Sequence, residues 1–188
     1  MTRLEAANKA LTLLGVATIT SLDQDIQAAR VMKELFPSVE RAVLLEYPWT
    51  PGTRSLDPIT GGNASGGWRH AFRYPSDAAA ILQVYAPAPI GIRKVHYAVH
   101  GDIIYANEPG ARAEFIAETD FETWPDLAAE AFTARLASDA AAALAGSPQL
   151  ASALLEKYGV LVSIAKNNAL NEENVPQRRA SKYLDVRQ

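Results

Sequence analysis

The stretch PDLAAEAFTARLASDAAAALAGSP, residues 125–148, decides the fold. Alanine fills ten of the positions from 126 to 145, while Leu127, Phe132, Leu136 and Leu144 supply the bulk. Alanine has the highest helix propensity and leaves a smooth surface that lets other helices approach closely. Pro125 opens this helix and Gly146 ends it. Ser147 then caps a further helix with Pro148 at its first position. Leu150, Leu154, Tyr158, Leu161 and Ala165 stripe that helix to about Asn171. The very short turn between the two predicts an antiparallel pair.

Two more helices are expected upstream. Thr2 with Glu5, and Ser21 with Gln24, have capping-box spacing. The first helix is expected to run to about Leu14 and stop at Gly15. The second carries Ile26, Ala29, Met32, Phe36, Val39, Val43 and Leu44 on one stripe, with a kink or break at Pro37. From Pro48 to Pro58 prolines and glycine end helical order, and Gly61–Gly67 reads as a mobile loop, so residues 50–67 are taken as flexible. Strand signals follow. Ile81–Tyr85, Lys94–His100, Ile103–Ala106 and Arg112–Thr119 form a small antiparallel meander joined by tight turns.

The expected fold is therefore α+β, mainly α: a four-helix bundle with a small antiparallel β-meander inserted between helices two and three. Residues 1–175 form a single domain, with helices over 1–49 and 125–173 and the β insertion at about 72–119. The amphipathic pattern ends after Asn174, so residues 176–188 are set apart as an extended C-terminal arm.

Composition narrows the function. A 188-residue chain with 48% apolar and 21% charged residues is ordinary globular material that can bury a core without a metal or disulfide. It has no cysteine, which removes thiol catalysis, Cys-ligated zinc and iron–sulfur clusters and makes an intracellular product the expectation. The N-terminus lacks the apolar core of a secretory signal, and no stretch approaches the ~20 apolar residues of a membrane span, so a soluble chain is expected. Net charge is −3, which argues against a general nucleic-acid binder. The charge is uneven: Arg178, Arg179, Lys182 and Arg187 against Asp185 give the arm +3 and leave −6 for residues 1–175. Basic tails of this kind often dock elsewhere.

Few residues suggest chemistry. His96 and His100, with Asp102 nearby, are the best metal candidate, but four residues along a strand separate the rings by about 13 Å, too far to share one ion. Solvated histidines are expected instead. The glycine run lacks the Gly-Lys-Ser/Thr ending of a phosphate loop, and no Gly-x-Ser-x-Gly elbow occurs. Glu118, Asp120 and Glu122 read as solvated charges at a strand end. No catalytic residue, metal site or cofactor is assigned. The aromatics Tyr47, Trp49, Trp68, Phe72, Tyr74 and Trp124 read mainly as core, with Trp49 and Trp68 kept as possible interface residues.

Ala7-Asn8-Lys9-Ala10-Leu11 with Leu14-Gly15, Ile19-Thr20-Ser21-Leu22-Asp23, Ala28-Ala29-Arg30 and Leu44-Leu45-Glu46-Tyr47-Pro48-Trp49 occur in that order. An aromatic stretch ending Phe72-Arg73-Tyr74-Pro75-Ser76-Asp77 follows, then the meander and the Ala-rich pair. In order and spacing this resembles the head-to-tail adaptor family of tailed bacteriophages, the group that includes tail tubular protein A. Thr50-Pro51-Gly52 and Pro37 depart from that pattern.

The resemblance implies a non-enzymatic virion protein of the head–tail junction, assembled in the host bacterial cytoplasm. It would form a homo-oligomeric ring, twelve copies in that family, between the portal protein and a tail, nozzle or stopper protein. DNA would pass through the lumen without sequence-specific binding, and an acidic wall would not trap a sliding polyanion. In related adaptors the C-terminal segment engages the portal, which gives Arg178, Arg179, Lys182, Tyr183, Leu184 and Val186 the role of a portal arm. A small hydrolase or ligand-binding domain is the alternative; it would need a cleft with perturbed carboxylates, and the sequence nominates no pair.

Overall fold

The computed structural model describes residues 1–59 and 66–173, with side chains to residue 169. Among these residues the fold is mixed α/β, with four helices and two antiparallel sheets. Helix α1 spans Arg3–Leu13 and starts on the expected capping box: Thr2 Oγ1 accepts from the Glu5 amide, and the Thr2 amide donates to the Glu5 carboxylate at 2.8 Å. Helix α2 spans Gln27–Glu46 and runs through Pro37 as one helix, so of the expected kink or break, the break does not occur. Pro37 lies on its exposed side, where no packed neighbour is disturbed. The second capping box is not formed. Ser21 Oγ accepts from the Asp23 amide and Gln24 bonds back to Thr20, so these side chains close a turn and α2 begins three residues later, without a side-chain cap.

Helix α3 (Asp126–Leu144) and helix α4 (Pro148–Glu173) form the expected antiparallel pair. Gly146 makes their turn at φ 60°, and Ser147 Oγ accepts from the Leu150 amide. α3 is the hub: α1, α2 and α4 all pack on it, and it is buried on almost every side. Ala128, Ala131, Ala134, Ala137 and Ala141 give close approach, and Phe132 and Leu136 fill the gaps between helices. At its N-terminal end Phe132 meets Phe36 of α2, and Phe121 and Trp124, in a ring cluster with centroids 4.6–6.1 Å apart. Ser138 Oγ donates to the Ala151 carbonyl at 2.8 Å and links α3 to α4. Asn8 ties the chain after α1 to that helix through two bonds to Ile19, accepting from its amide and donating to its carbonyl.

The β region corrects the expectation of one meander. Its strands are β1 (Pro51–Ser55), β2 (His70–Arg73), β3 (Ala78–Pro87), β4 (Ile92–Lys94), β5 (Tyr97–His100), β6 (Ile103–Ala106) and β7 (Arg112–Ala117). The first sheet has the order β1-β7-β3-β4 and the second β2-β6-β5. The stretch 94–100 is not one strand. The chain leaves the first sheet after Lys94 and enters the second at Tyr97, with buried Val95 at the crossing, its amide bonded to the Val84 carbonyl at 3.0 Å. The sheets enclose a core of their own, in which Phe72, Val84, Ile104 and Phe115 are the main bulk. β7 serves both cores by its period of two: Ala113 and Phe115 face the inter-sheet core, and Ile116 joins the helical one.

Strand β1 is the clearest correction to the expectation of a flexible stretch over residues 50–67. Pro51–Ser55 pairs with β7 in full register, Gly52 opposite Phe115. Pro51 is tolerated because β1 is an edge strand. Gly52 is required because a Cβ there would lie 2.7 Å from the Phe115 ring. Gly66 and Gly67 form a turn into β2; positions 60–65 of the glycine run lie outside the described residues.

Two substitutions test this packing. Leu136→Asp places a charge at the centre of the helical core and should cost several kcal/mol, read as loss of the cooperative urea transition; an unchanged midpoint would remove Leu136 from the core. Gly52→Ala should cost about 1–3 kcal/mol, because buried Phe115 has little room to yield. A variant as stable as the parent would show that the β1–β7 approach is loose.

Candidate interaction surfaces

Helix α4 is apolar on two sides. Its inner stripe, Leu154, Tyr158, Val162 and Ala165, is buried against the helical core. Away from that stripe it exposes Val160 at 60% and Ile164 at 44%, one turn apart on its outer side, whereas Leu155, 48% exposed and nine residues from Ile164, lies on another flank. Gly159 is exposed too, and a Cβ there would meet nothing within 4 Å, so no contact inside the subunit requires a glycine. A glycine inside a helix costs about 1 kcal/mol relative to alanine. Glu156 flanks these residues, exposed and with no ion-pair partner among the described residues.

A polar lock holds α4 in place. Tyr158 donates its hydroxyl to the Glu46 carboxylate at the end of α2, and Lys166 reaches the same carboxylate at 3.3 Å. Lys166 also stands over the Tyr47 ring, and Arg135 of α3 over the Tyr158 ring, itself paired with Asp139. Burial, reinforced by the bond to Glu46, pushes the Tyr158 hydroxyl well above the usual tyrosine range.

A second exposed apolar feature is the β3–β4 hairpin tip. Pro87, Pro89, Ile90 and Ile92 crowd a turn closed by Gly91 at φ 77°. Ile90 is 95% exposed and Ile92 57%. Arg93 pairs with Glu108 at 2.6 Å, whereas exposed Lys94 has no ion-pair partner among the described residues.

Residues singled out from sequence fall in different places. Trp49 is buried, and its indole N–H donates to the Val43 carbonyl at 2.8 Å, so its bulk is spent inside the subunit. Trp68 is half-buried after the Gly66–Gly67 turn. His96 lies in the crossing between the sheets and His100 at the end of β5, edge-on to Tyr105 at 5.6 Å. No group of three metal-ligating side chains occurs among the described residues. Arg178, Arg179, Lys182, Tyr183, Leu184 and Val186 lie outside the described residues.

Sequence reasoning missed a charged cleft of about 480 Å³ where α1, α2 and the β7–α3 connection meet. Arg3 pairs with Glu40 at 3.1 Å and Arg41 with Glu118 at 2.5 Å, with Asp120 alongside. Glu118 and Asp120 are exposed just beyond the end of β7, as expected, and both line this cleft. Burial raises the Glu40 carboxyl above the usual range, Arg3 opposes this, and the charge of Asp120 adds to it. A carboxyl raised above the usual range beside a second acidic side chain is the raw material of acid–base chemistry, but Arg3 and Arg41 engage Glu40 and Glu118 as staples between elements. Positions 40 and 120 are too far apart in sequence for any spacing rule to join them.

Compared with protein-family models and with curated proteins, the chain matches none. No helix among the described residues is long and apolar enough to cross a membrane.

The lock gives a pH-dependent prediction. The Tyr158 proton is held more tightly in the folded than in the unfolded chain, so the stabilisation is complete below pH 10, the ordinary tyrosine value, and is lost as pH rises beyond it. Tyr158→Phe should cost about 1 kcal/mol at neutral pH and flatten that alkaline decline in urea titrations. A decline of equal steepness in both proteins would mean that Tyr158 ionises normally.

Proposed function

We propose that this chain is a structural, non-enzymatic virion protein: a ring-forming head-to-tail adaptor that joins a portal to a tail component around a DNA channel. The observation that carries this reading is the two-faced α4. One face is consumed by the subunit's own core, and the other exposes Val160 and Ile164 on a helix locked in place by Glu46. A helix apolar on both sides is stable in water when a second body covers it. Repetition of one chain around an axis supplies that body without a second protein. The resemblance in motif order supports the family. The charge of −6 over residues 1–175 suits a wall along which a polyanion slides.

The portal arm belongs to the same reading. Residues 176–188 combine four basic side chains with Tyr183, Leu184 and Val186 as apolar anchors. Weak contacts of this kind, repeated around a ring, add up to tight attachment. A competing reading, a small hydrolase, draws on the Glu40–Asp120 cleft; hydrolytic turnover lost in Glu40→Gln would favour it.

The test is native mass spectrometry of the chain alone and with portal rings. A closed oligomer in either condition is expected, and a lasting monomer in both would overturn the reading. Deletion of 176–188 should leave the melting temperature of the body unchanged and abolish portal attachment. Arg178→Glu with Arg179→Glu should weaken attachment, as should added salt, because exposed charges are screened over ~8–10 Å. Normal affinity of the truncated chain would place the docking surface in the body.

A further inference from the structure

We propose that the outer face of α4 is covered by the β3–β4 hairpin tip of a second copy of this chain, so that each subunit contributes the knob for its neighbour's helix. The proposal rests on the ring reading and names the contact that builds the ring.

The two exposed apolar features lie on different elements of one chain, α4 and the β3–β4 hairpin. A contact of α4 with α4 would be self-complementary and stop at a pair, whereas joining two different patches is heterologous and propagates around an axis. The hairpin and the helix match in spacing. Ile92 and Lys94 lie on one side of β4, about 6.6 Å apart. Val160 and Glu156 lie on one side of α4, about 6 Å apart. With Ile92 over Val160, Lys94 reaches Glu156, and Ile90 at the tip extends toward Ile164. The charges complement each other: Lys94 and Glu156 are both exposed and lack ion-pair partners among the described residues, whereas Arg93 between Ile92 and Lys94 is already satisfied by Glu108.

The chain has no cysteine, so paired cysteines can map the contact directly. Ile92→Cys and Val160→Cys are prepared separately and mixed under oxidising conditions, with portal rings present if these are needed for assembly. Both positions are exposed, and melting curves check that each variant folds. The expected result is a disulfide between the two different variants, since a Cα separation of about 4.4–6.8 Å is required, with neither variant linking to itself. Glu156→Lys should weaken assembly several-fold, and Glu156→Lys with Lys94→Glu should restore it. Oligomers without the mixed disulfide, or Val160→Cys linking to itself, would overturn this contact and leave the ring reading standing. A chain that stays monomeric alone and with portal rings would overturn both.

Discussion

Close approach of backbones at α3 is the constraint on which the rest of the structure depends. Three helices converge on one, and a helix of ordinary side-chain size has no room for three neighbours at short interaxial distance. Alanines on all sides of α3 remove that obstacle, and Phe132 and Leu136 restore the volume where the neighbouring helices diverge. The ring cluster of Phe36, Phe121, Trp124 and Phe132 closes the end of the helical core where the chain returns from the β region. Because α3 is saturated with neighbours, α4 can bury only one side within the subunit.

How much of this was legible in the sequence follows from the range of the forces involved. The helices were legible, because a 3.6-residue stripe and a cap are local. Pro37 does not end α2, because it removes only one hydrogen bond and lies on the exposed side of a helix held by packing on its other side. Ser21 and Gln24 misled because capping-box spacing also suits a tight turn, and here the side chains bond within 20–24 instead. Strand β1 was illegible for a different reason. Pro51 and Gly52 argue against a strand until β7 is present, and it is the Phe115 ring, sixty-odd residues downstream, that makes a residue without a Cβ necessary.

The same logic governs the candidate surfaces. The inner stripe of α4 is legible from spacing, while exposed Val160 and Ile164 lie off that stripe, and apolar residues off a stripe are the available signal for them. No sequence pattern within Lys94–His100 shows that the chain changes sheet at Val95. That crossing ends β4 after three residues, so the hairpin projects as a short knob instead of extending the sheet. The charged cleft needed tertiary contact between α1, α2 and the β7–α3 connection, which charge counts along the chain do not contain.

These features together explain why the functional reading falls on surfaces. The cleft holding the raised Glu40 carboxyl has two of its acids engaged by arginines that join separate elements, so its charges are largely taken up by holding the subunit together. The exposed side of α4 is held in place without a neighbour, because the bonds from Tyr158 and Lys166 to Glu46 fix the helix from its inner side. A surface already rigid before contact loses little conformational entropy on binding. Assembly can then proceed from weak individual contacts, and stability of the subunit and affinity for its neighbour can vary independently. In the proposed ring, the demands of folding and of contact with a neighbour would fall on opposite sides of one helix, and that separation is a sufficient physical solution.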